Sequence, residues 1–166
     1  MRIKPYDRNS ACLYAKKWAF TRNPKYYNYD AIGGDCTNFI SQCIYAGSNV
    51  MNYNKANGWY YINANEKSPS WTGVEFLYKF LINNSGVGPF GLNVNSSKIE
   101  LGDIAQLSFS GEKFEHSLII VKIEDFLDFS GIYTASHTLD SYARAISSYK
   151  FSKIRFVHIE DVKFSQ

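Results

Sequence analysis

Gly33-Gly34-Asp35-Cys36-Thr37-Asn38-Phe39-Ile40-Ser41-Gln42-Cys43-Ile44 is the stretch on which the fold turns. Cys36, Phe39, Ile40, Cys43 and Ile44 stand at i, i+3, i+4, i+7 and i+8, which is one face of a helix. The glycine pair and Asp35 mark its start, and Gly47 is a suitable stop. Cys36 therefore lies in the first turn and faces inward. Unpaired N–H groups and the helix dipole favour a thiolate there, and the cysteine's own N–H can meet an oxyanion. A buried structural cysteine is the competing reading, because a free thiol packs as a small apolar side chain.

Upstream, Ala11, Tyr14, Ala15 and Trp18 recur at helical spacing until Asn23-Pro24 ends the segment. Downstream, residues 49–70 are rich in Asn, Gly, Tyr and Lys around Gly58-Trp59-Tyr60-Tyr61 and read as a long loop or lid. Thr72-Gly73-Val74-Glu75 has the form of a capping box, and Val74, Leu77, Tyr78 and Leu81 continue it as a helical stripe. The second half carries β-branched and aromatic runs at 104–109, 117–123, 132–136 and 154–159. Short connections between them favour antiparallel pairing. Helices followed by an antiparallel sheet make an α+β domain, and 166 residues suit one domain, 1–166.

Composition excludes several functions. With 18 basic and 15 acidic residues and no basic run longer than Lys16-Lys17, there is no nucleic-acid footprint. No apolar stretch is long enough for membrane insertion. Met1-Arg2-Ile3-Lys4 leads into no apolar signal core. The expectation is a soluble chain, cytoplasmic as it stands or exported without an evident signal peptide. Aromatic residues make up 17%, including 13 Tyr, which suits contact with sugars or peptides as well as a core. Three cysteines cannot all pair within the chain. Cys36 and Cys43 lie about 10 Å apart along a helix, beyond the roughly 7 Å of a disulfide. No Cys or His pair has zinc-type spacing, so neither metal nor cofactor is expected.

A nucleophile needs a base. His116 heads the strand Ser117-Leu118-Ile119-Ile120-Val121, and an imidazole with a pKa near 6.5 suits proton transfer at neutral pH. The base needs an orienter. His137 ends the next run, and antiparallel neighbours would bring it beside His116. Asp140 competes for that role. His158 has no evident partner and reads as structural, and Cys12 and Cys43 read as core residues.

Gly34 to Gln42 resembles the D-C-T-N-F-x-S-Q signature of the bacterial putative amidase domain family, which is similar to the NlpC/P60 and CHAP cysteine hydrolases. Tyr6-Asp7-Arg8, Trp59-Tyr60-Tyr61, Ser70-Trp71, Leu101-Gly102-Asp103-Ile104 and Ser136-His137-Thr138 extend the resemblance along nearly the whole chain. It implies a papain-like, NlpC/P60-like fold and a triad of Cys36 as nucleophile, His116 as base and His137 as third member. It also implies a tyrosine near the oxyanion, for which Tyr27 and Tyr29 both qualify. Asp35, Asn38, Tyr29, Trp59, Trp71 and Asp140 are the oxyanion and substrate candidates, the two tryptophans forming one wall of the groove. The implied activity is amide hydrolysis on peptidoglycan or a related peptide. A binding module without catalysis and a cysteine acyltransferase are the alternatives.

Overall fold

In the computed structural model, which describes residues 1–166, the chain runs β1 (Arg2–Pro5), α1 (Arg8–Trp18), α2 (Cys36–Ser48), β2 (Tyr61–Asn63) and β3 (Glu66–Lys67). It continues through α3 (Pro69–Thr72), α4 (Val74–Asn83), β4 (Gly88–Val94), β5 (Ile104–Ser108), β6 (His116–Ile123), β7 (Ile132–Ser136), β8 (Ser141–Ala145) and β9 (Lys153–Phe164). Seven strands form one antiparallel sheet in the order β1-β9-β5-β6-β7-β8, with β4 also paired to β9. The long β9 is the spine: β4 lies along one side, and β1 and β5 lie end to end along the other. The expected α+β class is what the chain forms.

The helices cover one face of the sheet. Phe39, Ile40, Cys43 and Ile44 of α2 pack with Leu77 and Leu81 of α4 onto Ile104, Ile119, Ala135, Val157 and Ile159. Each of those large side chains contributes about 1.5–3 kcal/mol by leaving water. Leu107, Leu118, Ile120, Ile132, Ile146 and Phe156 form a second core on the opposite face. Successive strand residues point to opposite faces. Along β6, Ser117 and Ile119 thus serve the helix side, whereas His116 and Leu118 serve the other.

Three elements differ from the sequence reading. Residues 49–70 are pinned rather than forming a lid. Asn52 and Trp59 exchange backbone hydrogen bonds of 2.9 and 2.8 Å, and β2 and β3 make a hairpin. Trp59 and Trp71 are fully buried and line no groove. Their indole N–H groups donate back into α2, to Ser41 Oγ at 3.0 Å and Asn38 Oδ1 at 2.9 Å. Thr72 does not cap α4: it ends α3, its hydroxyl accepts from Lys67, and Gly73 takes the cap position. Strand β4 went unread because Gly88-Pro89 and Gly91 look like a turn, yet β4 pairs only with β9, where an edge proline is tolerated. No helix is long and apolar enough to cross a membrane.

Candidate active site

Helix α2 begins at Cys36, as its periodicity requires, and ends on Asn49 in the left-handed conformation rather than on Gly47. The Cys36 side chain is buried. Thr37 Oγ1 lies 3.7 Å from its sulfur. Thr37 Oγ1 in turn meets Ser117 Oγ at 3.0 Å, which accepts from Gln106 Nε2 at 3.2 Å. The thiol therefore sits at the start of α2, whose Thr37 meets Ser117, the residue after His116, at the head of β6. Burial raises its pKa above the ordinary thiol value, although the Ser117 N–H, the Thr37 hydroxyl and the Thr37 N–H pull the other way. The thiolate favoured by the helix dipole is thus offset by desolvation, and the resting group is a protonated thiol.

Asp35 is the organiser of the helix start. Its Oδ1 accepts from the Tyr29 N–H at 2.8 Å and from Asn38 Nδ2 at 2.9 Å, and its Oδ2 meets His137 Nδ1 at 2.6 Å. Arg22 Nε stands 3.6 Å from Oδ2. Burial alone would raise this carboxyl, but the His137, Tyr29 and Asn38 hydrogen bonds hold it below its ordinary value. The other His137 nitrogen, Nε2, faces the Trp18 carbonyl at 2.8 Å and must donate to it, since a carbonyl only accepts. The ring is fully enclosed and stacks 3.9 Å from Phe39. Both nitrogens are spent, so His137 cannot orient His116. Asp140 does not replace it, because both its oxygens bind Arg22 at 2.9 Å. The expected third member is corrected on both counts: register sets Ser117, not His116, on the face that α2 covers.

His116 opens instead into a cleft of about 460 Å³ shared with Phe109, Thr138, Leu139, Arg144, Ser148, Tyr149 and Lys150. No hydrogen bond joins its ring to Cys36. The cleft reaches the head of α2 through Thr138, whose hydroxyl accepts from the Asp35 N–H at 3.2 Å. Thr138 and Leu139 hold consecutive positive φ values of 60° and 61°, a strained conformation for residues other than glycine. Burial, and then the charge of Arg144, lowers His116 from 6.5 to about 4. At neutral pH the ring is an uncharged proton acceptor. The unfolded chain takes up this proton more readily than the folded one, so the stability it contributes is full above pH 6.5 and lost as pH falls toward 4. The expected loss is about 3 kcal/mol, and His116→Gln should flatten urea-midpoint curves across that window.

The remaining candidates have structural work. Asn38 bridges Asp35, the Tyr27 carbonyl and Trp71. The Tyr29 hydroxyl donates to the Ala64 carbonyl at 3.2 Å, and so points to the β2–β3 hairpin rather than offering a free donor. His158 finds a partner in the fully buried Asp103, at 2.8 Å. Asp103 also accepts from Arg8 at 2.7 Å and from the Ile159 and Glu100 N–H groups, fastening the first helix to β9. Ser117, Thr37 and Arg144 were missed. Alternation along β6 was the available signal for Ser117, whereas nothing local marks Arg144. No group of three or more His, Cys, Asp or Glu side chains could hold a metal ion.

Fold and site together define an α+β domain whose buried cysteine opens a helix against the head of a histidine-led strand. Residues 5–159 match the family described as "Putative amidase domain", and the chain belongs to that family, whose description is that of an amide-bond hydrolase. It is 38% identical over 120 residues to the uncharacterized protein YhbB of Bacillus subtilis (strain 168), covering 70% of this chain and 37% of that protein. It is 26% identical over 141 residues to the uncharacterized protein YjcM of the same organism, covering 84% of this chain and 30% of that one. The chain thus spans about a third of the length of these relatives. No solved structure matches it.

Proposed function

We propose that this domain is a cysteine-dependent amide hydrolase of papain-like type that acts through an acyl-enzyme on a peptide amide, with peptidoglycan as the leading substrate class. The observation that carries it is the buried thiol at the first turn of α2, whose neighbour Thr37 bonds Ser117 at the head of the strand that begins with His116, a neutral histidine that fronts a cleft. In this reading His116 takes the Cys36 proton as the sulfur attacks the carbonyl carbon. The tetrahedral oxyanion meets the Cys36 N–H, which has no backbone acceptor of its own. His116 then gives the proton to the leaving amine, leaving a thioester. Water attacks the thioester, losing its proton to His116, and the acid departs as Cys36 regains its hydrogen. In this reading the His116 ring has to swing from the cleft side of β6 to the sulfur when substrate binds, since catalytic hydrogen bonds often form only in the complex.

A second reading, a peptide- or wall-binding module without catalysis, is favoured by one observation: the thiol is buried and unbonded to His116. Iodoacetamide labelling with peptide mass mapping separates the two. Release of amine from peptidoglycan fragments, with substrate-dependent labelling of Cys36 that is slowed in His116→Ala, is the expected result. Labelling of Cys36 no faster than a model thiol, with no release, would leave the binding module.

A further inference from the structure

Four arginines of this chain are half-buried, and three of them are neutralised. Arg8 pairs with Asp103, Arg22 with Asp140 and Asp30, and Arg155 with Glu75. Arg144 has no carboxylate partner. It is nonetheless fixed in place: Nε donates to Ser148 Oγ at 2.8 Å, Nη2 to the Ser148 carbonyl at 3.3 Å, and Cζ lies 3.7 Å over the Tyr149 ring. A guanidinium held this way has already lost its rotamer freedom and keeps N–H groups free for an acceptor. It lines the same cleft as His116, as does Lys150, and no Asp or Glu lines that cleft. Phe109 and the exposed Leu139 supply an apolar wall beside the cations.

The geometry points to Arg144 as the specificity-determining residue of the His116 cleft, binding a carboxylate of a peptide substrate while Lys150 adds charge at the rim. This deepens the hydrolase reading and rests on it for the word substrate, but not for the binding. Occupation has a consequence at the base. The charged and titratable groups around His116 are Arg144, Tyr149 and Lys150, while its chain neighbour Glu115 gives its carboxylate to the Phe109 N–H. A bound carboxylate offsets the Arg144 charge, so the substrate itself raises the affinity of His116 for the proton it must accept.

The test uses the Cys36→Ala chain, which cannot turn over, and three probes followed by the His116 ring proton resonance. These are N-acetylglutamic acid α-amide (side-chain carboxylate), N-acetylglutamine (terminal carboxylate) and N-acetylglutamine amide (neutral). Either carboxylate probe should bind about tenfold or more tighter than the neutral one, the typical scale for a charge-assisted hydrogen bond, and should raise the His116 titration midpoint. Whichever carboxylate wins identifies its source as side chain or chain end. Arg144→Gln should erase the preference, Arg144→Lys should keep part of it, and Lys150→Gln should weaken it mildly. Equal binding of all three probes, or an undiminished preference in Arg144→Gln, overturns the inference. A wild-type protein that hydrolyses no amide but keeps the preference sinks the hydrolase reading alone.

Discussion

Cys36→Ser is expected to cut amide hydrolysis by about a thousandfold or more, the scale on which loss of a nucleophile acts in acyl-transfer enzymes. The thermal midpoint should hardly move. Oxygen replaces sulfur at nearly the same shape, and the neighbour it meets, Thr37 Oγ1, is polar. A hydroxyl is far less acidic than a thiol, and the uncharged His116 is too weak a base to ionise it unaided. Cys43 is the control, fully buried among Tyr6, Ile40 and Ile44 in the helix-side core. Cys43→Ala should lower stability by about 1 kcal/mol and leave turnover alone. Retained turnover in Cys36→Ser, or lost turnover in Cys43→Ala, would remove Cys36 from the mechanism.

Asp35→Ala is expected to destabilise the fold by about 3–5 kcal/mol, the cost of removing one partner from a buried pair. Three groups lose their acceptor at once, His137 Nδ1, the Tyr29 N–H and Asn38 Nδ2, and Arg22 loses an ion-pair contact of 3.6 Å while keeping Asp30 and Asp140. Asn38 also receives Trp71, and His137 also ties down the end of α1 at Trp18, so the damage spreads to both neighbours of α2. Urea denaturation measures the loss directly. The acid limb carries a second signature. Because the folded-state pKa of Asp35 lies below its ordinary 3.8, its contribution is present above that value and lost as pH falls through the folded pKa. Asp35→Ala should therefore lose stability least where the wild type is most acid-stressed. A variant within 1 kcal/mol of wild type would mean that the pair contributes little.

Legibility in the sequence followed the range of the physics. Helix α2, its inward cysteine and its place at the first turn are carried by contacts within a few residues, and periodicity showed them. The β-rich second half, the antiparallel pairing and the exclusion of a Cys36–Cys43 disulfide followed equally from local pattern and element geometry. The motif around Cys36 was legible as a unit but not in its division of labour. Asp35, Thr37, Asn38, Ser41 and Gln42 reach five different places, respectively His137, Ser117, Trp71, Trp59 and Tyr14. Most of the motif thus fastens the helix, and Cys36 is the member left without such a long-range partner.

What only the tertiary structure decided concerns faces and partners. A strand shows two faces with period two, so the choice of whether His116 or Ser117 meets the cysteine depends on a one-residue register that local sequence leaves open. His137 and Asp35 lie 102 residues apart in the chain, and His158 and Asp103 lie 55 apart. Whether a histidine is a base, an anchor or a spectator depends on which acceptor the finished fold brings to each ring nitrogen. The sequence by itself determined the class of fold, the buried thiol and the short list of histidines. Packing decided which histidine kept its ring nitrogens unpartnered, because hydrogen-bond capacity is exhausted by whichever partner the fold delivers.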